Sequence, residues 1–251
     1  MSWGPSKAKA ARLAAALLIA TGATAAAAQV LVVRASGPSA KAYPAGKKLA
    51  DSARISLRAN DSLVLLDSRG TRTLRGPGVF TPGGPAQAAN RSALASVATG
   101  RTRRARIGAV RGVGSDAPRP ASLWHVDVSK SSTVCLADPA RVTLWRPHAG
   151  AAVTLTVTRV GDGASRAVEW PAGQTTVGWP ADLAVSDGAD YRLSWAGGAQ
   201  PTSLEFRTLA AEPADPEAMA STLIQKGCDA QLDVLIQALQ LPEAPAATTE
   251  G

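Results

Sequence analysis

Few side chains in this sequence belong to the reactive types, and their spacing limits what they can do. Cys135 and Cys228 stand alone, without a CxxC pair or an adjacent histidine, which makes a metal site or a redox motif a poor fit. His125 and His148 are the only histidines, and neither has a second ligand at metal-binding spacing. The sequence contains no HExxH, GxSxG, Walker loop or SxxK pattern. Scattered Ser, His and Asp residues are no evidence for a triad, because a triad is a geometry and not a composition. The expectation is a protein that is not an enzyme, with no catalytic residue, no cofactor and no metal.

The cysteines acquire a different meaning from the N-terminus. Lys7, Lys9 and Arg12 precede an uncharged stretch, residues 13–28, that is rich in Ala and Leu and ends in four alanines. Basic, apolar, then small residues is the layout of a secretory signal, and Ala26 and Ala28 satisfy an Ala-x-Ala site before Gln29. Residues 1–28 are therefore read as a cleaved signal peptide and the protein as periplasmic. The alternative is an N-terminal inner-membrane anchor, since residues 30–33 prolong the apolar run toward the ~20 residues that span a bilayer. Cleavage would remove three positive charges and no negative ones, lowering the formal charge from +8 to +5. In an oxidising compartment Cys135 and Cys228 are expected to form a disulfide.

Two further groups of residues could recognise a partner without catalysing anything. Arg101, Arg103, Arg104, Arg106 and Arg111 crowd into residues 83–120, a stretch rich in Arg, Ala and Gly that reads as a linker. Such a patch attracts any polyanion. Export and the lack of base-stacking aromatics remove nucleic acid from consideration and leave anionic lipid, or a solvated connector with no ligand. Trp145, Trp170 and Trp179 could form a glycan platform, because indole faces are apolar and their edges donate a hydrogen bond. Trp124, Trp145, Trp170 and Trp195 each fall on or at the end of an expected strand, where a large ring is more naturally core.

The elements that must position these residues are mostly strands. The high counts of 23 Gly and 17 Pro argue for many turns and against a mainly helical protein. Within residues 29–82, Ile55 and Leu57 alternate with Ser56 and Arg58, residues 63–66 form an apolar run, and Asp67, Ser68, Arg69 and Gly70 make a turn. Gly46, Leu49, Ile55, Asp61, Leu63, Leu65, Asp67, Gly70, Leu74 and the run Gly76, Pro77, Gly78 carry a partial resemblance to FecR-like periplasmic sensor domains. The resemblance implies a small β-domain that receives a signal from an outer-membrane receptor. It does not extend to the relay arm of that family, since a signal peptide stands where a cytoplasmic segment and transmembrane helix would be.

Residues 121–211 repeat strand signals at short spacing, as a sandwich or barrel does. Residues 153–158 alternate strictly, Gly161, Asp162 and Gly163 mark a hairpin, and seven or eight short antiparallel strands suit an immunoglobulin-like sandwich. In residues 212–240, Asp215 and Pro216 form a helix start. Met219, Leu223, Ile224, Cys228, Leu232, Leu235, Ile236 and Leu239 then recur on one helical face. Gly227 leaves one interrupted helix or two short ones open, with Asp229 able to cap a restart. Residues 241–251, with Pro242 and Pro245, read as a disordered tail.

The sequence thus points to a mainly β protein: a small FecR-like β-domain, a linker, and an immunoglobulin-like antiparallel β-sandwich with a C-terminal helix. The expected function is protein–protein interaction in envelope signalling or assembly with an unknown envelope protein. The alternative is a glycan- or anionic-lipid-binding module.

Overall fold

The computed structural model describes Met1 and residues 29–82, 118–196 and 200–240. The protein is mainly β, with two helices at the C-terminal end of the described chain. The arginine cluster at residues 101–111 and the tail at 241–251 lie outside the described residues.

The first strand, β1 (Gln29–Ser36), is followed by a 3-10 turn at Ala40–Ala42 and by β2 (Lys48–Ala50). Then come β3 (Ile55–Leu57), β4 (Ser62–Asp67), β5 (Gly70–Arg75) and β6 (Gly78–Phe80). A four-stranded sheet has the order β2-β1-β4-β5, and β3 pairs with β6 in a separate ribbon. Val30, Leu31, Val32 and Val33 are all buried, in contrast to the alternation of a half-exposed strand. Val30 and Val32 join one core with Leu49, Ile55, Leu57, Leu63 and Leu65, whereas Leu31 and Val33 join a second core on the opposite face. The uninterrupted apolar run is thus explained by a strand covered on both sides.

Two local devices shape this sheet. At the β4–β5 turn Asp67 accepts from the Arg69 amide at 2.7 Å and from its guanidinium at 2.8 Å, an Asx-type turn closed by Gly70. Asp61 is buried and accepts from the Ser39 amide at 2.9 Å and the Arg58 amide at 2.5 Å, tying two loops together. Burial opposes its charge, but the hydrogen bonds from Ser39 and Arg58 prevail and hold its carboxyl below the ordinary range. Gly76 has a steric requirement, since a Cβ there would lie 2.0 Å from the Arg58 carbonyl oxygen.

The second β unit contains β7 (His125–Asp127), β8 (Ser132–Leu136), β9 (Thr143–Trp145) and β10 (Val153–Arg159). It continues with β11 (Ser165–Trp170), β12 (Thr176–Gly178), β13 (Asp190–Trp195) and β14 (Thr202–Thr208). A five-stranded sheet, β11-β10-β13-β14-β8, faces a three-stranded one, β12-β9-β7, around a core that includes Leu144, Leu155, Val157, Trp170, Tyr191, Leu193 and Phe206. This is the expected β-sandwich, with one correction. It is not wholly antiparallel, because β14 runs parallel to β8 and β7 parallel to β9. Both exceptions join strands that are not sequence neighbours, so the short-turn logic that makes hairpins antiparallel does not apply to them. At the β10–β11 hairpin only Gly163, at φ 73°, supplies the positive backbone angle.

The apolar C-terminal pattern forms two helices, α1 (Pro216–Lys226) and α2 (Asp229–Ala238). Asp215 caps α1 by accepting from the Glu217 and Ala218 amides at 2.9 and 3.0 Å, with Pro216 at the first position. Gly227, at φ 72°, ends α1 in the left-handed conformation that favours glycine. Cys228, not Asp229, occupies the cap position of α2, without a side-chain cap bond. The helices do more than cover a sheet edge. Met219, Leu223, Leu232, Leu235 and Leu239 share one core with Leu31, Val33 and Leu66 of the first unit and with Leu123, Cys135 and Leu209 of the second.

Candidate interaction groove at the helix seam

Where the two β units and the helices meet, two features define the seam. One is covalent: Cys135 on β8 is bonded to Cys228 between the helices. The other is polar. Gln231 of α2 is 4% exposed; its Oε1 accepts from the Cys135 amide at 2.6 Å, and its Nε2 donates to the Cys135 carbonyl at 2.8 Å and the Leu123 carbonyl at 3.1 Å. One side-chain amide thereby imitates the peptide of a neighbouring strand and satisfies the open edge of β8. Unpaired strand edges and buried unpaired backbone groups are both costly, and this arrangement removes both.

Beside the seam lies an open groove of about 470 Å³. Its walls are the end of β1 (Val33, Arg34, Ser36), the loop that carries Ala40 and Pro44, and the N-terminal turn of α2. From α2 come Asp229, Leu232 and Asp233. Arg34 reaches across to Asp233, with Nη2 to Oδ1 at 2.6 Å. Both side chains are nearly half exposed, so the pair is worth less than about 1 kcal/mol and mainly orients the groove wall. Burial pushes the Asp233 carboxyl above the ordinary range, and the Asp229 charge adds to that, although Arg34 opposes it. The lining combines Val33, Ala35, Ala40, Pro44, Ala45 and Leu232 with two carboxylates and one guanidinium.

The remaining candidates are dispersed. Trp170 is 1% and Trp145 5% exposed, so neither offers a face to a sugar. Trp170 donates its Nε1 to the Gln174 carbonyl at 3.0 Å and lies beneath the Arg146 guanidinium at 5.0 Å. Trp179 packs edge-on against Tyr191 and Phe206, at 5.0 and 5.2 Å, and donates to the Leu183 carbonyl at 2.6 Å. The structure thus buries Trp145 and Trp170 and packs a partly exposed Trp179 against the sandwich core. Arg146 is itself buried and donates to the carbonyls of Gln174, Ala151 and Pro171. His125 sits on β7, half-buried, with its imidazole pushed down in pKa by burial. Among the described residues no group of three His, Cys, Asp or Glu side chains is placed to hold a metal ion.

The groove was not found from the sequence, since Arg34 and Asp233 come from opposite ends of the described chain and no local motif links them. Comparison with protein-family models, with curated proteins and with solved structures finds no match to this chain. Among the described residues no helix is long and apolar enough to cross a membrane.

Proposed function

We propose that this chain is an exported, non-catalytic binding module that engages a protein partner in the periplasm, in envelope signalling or assembly. Its first β unit is read as FecR-like. The observation that carries the proposal is the groove between β1, the Ala40–Pro44 loop and α2: it sets apolar lining from Val33, Pro44 and Leu232 beside Asp229 and the Arg34–Asp233 pair. Binding sites with that division between apolar anchor and polar orienting groups are characteristic of peptide recognition. The Cys135–Cys228 pair supports an oxidising compartment, because such bonds do not persist against cytosolic reductants. Burial of Trp145 and Trp170 weighs against the glycan alternative.

A photo-crosslinking residue placed at Ala45, exposed on the groove wall, tests this in intact cells against the same residue at Val160, 57% exposed on the β10–β11 hairpin. A discrete protein adduct at Ala45 that is absent at Val160 and lost on Arg34→Asp is the expected result. Equal adducts at both positions, or none at Ala45, would refute the groove as the binding site.

A further inference from the structure

The first β unit gathers positive charge on its surface and keeps its negative charge inside. Residues 29–82 carry nine Lys or Arg against three Asp and no Glu, a net of +6. By contrast, residues 118–196 balance seven basic against seven acidic side chains, and residues 200–240 carry two against six. None of the three carboxylates of the first unit is exposed: Asp61 and Asp67 are buried and Asp51 is half-buried. Seven of its basic side chains are exposed, and two of these, Arg34 and Lys48, pair with Asp233 and Glu217 of the helices. The other five, Lys41, Lys47, Arg54, Arg58 and Arg75, form no ion pair among the described residues.

We propose that the outer face of the β3–β6 ribbon, none of whose residues lines the groove, docks on an anionic lipid surface. Ser56 of β3 lies opposite Val79 of β6, while Ile55, Leu57 and Phe80 turn to the first core. Alternation therefore places Ser56 and Val79 on the other face, with Arg54 and Arg58 continuing it on either side of β3, and all four are exposed. Val79 is 68% exposed, more than any other large apolar side chain among the described residues except Met1. One apolar side chain thus stands among guanidinium groups. Asp61 hydrogen-bonds the Ser39 and Arg58 amides and reaches the Arg58 guanidinium only through space. The free edge of β3 is occupied at its centre, because the Ser56 amide donates to the Tyr43 hydroxyl at 3.1 Å, and Lys47 lies over the Tyr43 ring at 5.5 Å. The ribbon accordingly meets solvent with a face rather than with a strand-accepting edge. Two three-residue strands are too small for the ~800 Å² that each side of a stable protein–protein interface buries. A lipid surface demands no such fixed complementarity: mobile headgroups gather around cations, and a single apolar side chain reaches below them. The field of the whole unit orients the approach.

The test mixes the full chain with vesicles of equal parts phosphatidylglycerol and phosphatidylcholine, with an environment-sensitive dye at position 79 or, as control, at position 160, where Val160 is also exposed. A blue shift at position 79 but not at 160 is expected, absent on pure phosphatidylcholine and fading with added salt. Arg54→Gln combined with Arg58→Gln should weaken the vesicle affinity read at position 79 about 25-fold, since each basic side chain at such a surface contributes about fivefold. Lys130→Gln combined with Arg192→Gln removes the same charge from exposed sites on the second unit and should weaken it at most about twofold. Equal losses for the two pairs, or equal shifts at positions 79 and 160, overturn the assignment by showing adsorption through net charge alone. No response to the vesicles at position 79 also overturns it. A response there to polyglutamate instead, lost in the Arg54 and Arg58 variant, reassigns the face to an acidic protein segment.

Discussion

Replacing Gln231 with leucine separates the polar role of this side chain from its packing. The substitution keeps the bulk and adds apolar surface, but it orphans three buried groups at once: the Cys135 N–H, the Cys135 carbonyl and the Leu123 carbonyl. Each unsatisfied buried group costs about 1–3 kcal/mol, and the N–H stands at the upper end because it has no second geometry to fall back on. The gain from burying a leucine in place of an amide offsets roughly 1–2 kcal/mol of that. The net expectation is a loss of about 3–8 kcal/mol, which lowers the thermal midpoint by roughly 6–30 °C for a chain of this size. Urea unfolding of the oxidised protein measures the free energy, and Gln237→Leu, on the exposed Arg119 contact, serves as the control. A loss below about 1 kcal/mol at Gln231, within the ordinary range of surface substitutions, would show that the β8 edge does not depend on this amide.

Cys228→Ser opens a cross-link spanning a sequence separation of 93 residues, and loop entropy alone predicts a loss of about 4.6 kcal/mol. Denaturant midpoints with and without reductant check it, and the reduced wild type should match the variant. Asp61 and Asp233 should respond to pH with opposite sign. The folded-state carboxyl of Asp61 lies below its ordinary 3.8, so its contribution is present above that value and is lost as pH falls through the lower one. Asp233 is raised above 3.8, so its favourable contribution is present below that value and is lost as pH rises through the folded one. Asp61→Asn should therefore flatten the acid limb of the stability curve. Asp233→Asn should equal or exceed wild type at neutral pH, and the difference should vanish in acid; unfolding free energies across pH measure both.

How far the fold could be read from residues depended on the range of the interaction that determines each element. The strict alternation of β10, the Asp215–Pro216 helix start and the glycine break at Gly227 are local devices, and each appears where its chemistry requires. The parallel pairing of β8 with β14 is not local, and nothing in either strand announces its neighbour. Period two tells which residues share a face but not which face is core. For that reason tryptophans that could have been a platform, such as Trp170, were decided only by packing. The run Val30 to Val33 was compatible with a membrane anchor or a strand, and burial of β1 on two sides supplies the physical reason for its unbroken hydrophobicity. The groove is the extreme case, since Arg34 and Asp233 acquire meaning only from each other.

The double burial of β1 also has a kinetic side. Half of its cover, the core shared with Met219, Leu223 and Leu235, belongs to helices that follow both β units along the chain. Until those helices are in place, the Leu31 and Val33 face of this valine-rich strand lacks their cover. Segments of that composition are the ones that seed intermolecular pairing when left waiting. A chain that emerges from its N-terminal side therefore passes through an interval of exposure at β1, and holdase chaperones that bind extended apolar segments would act there.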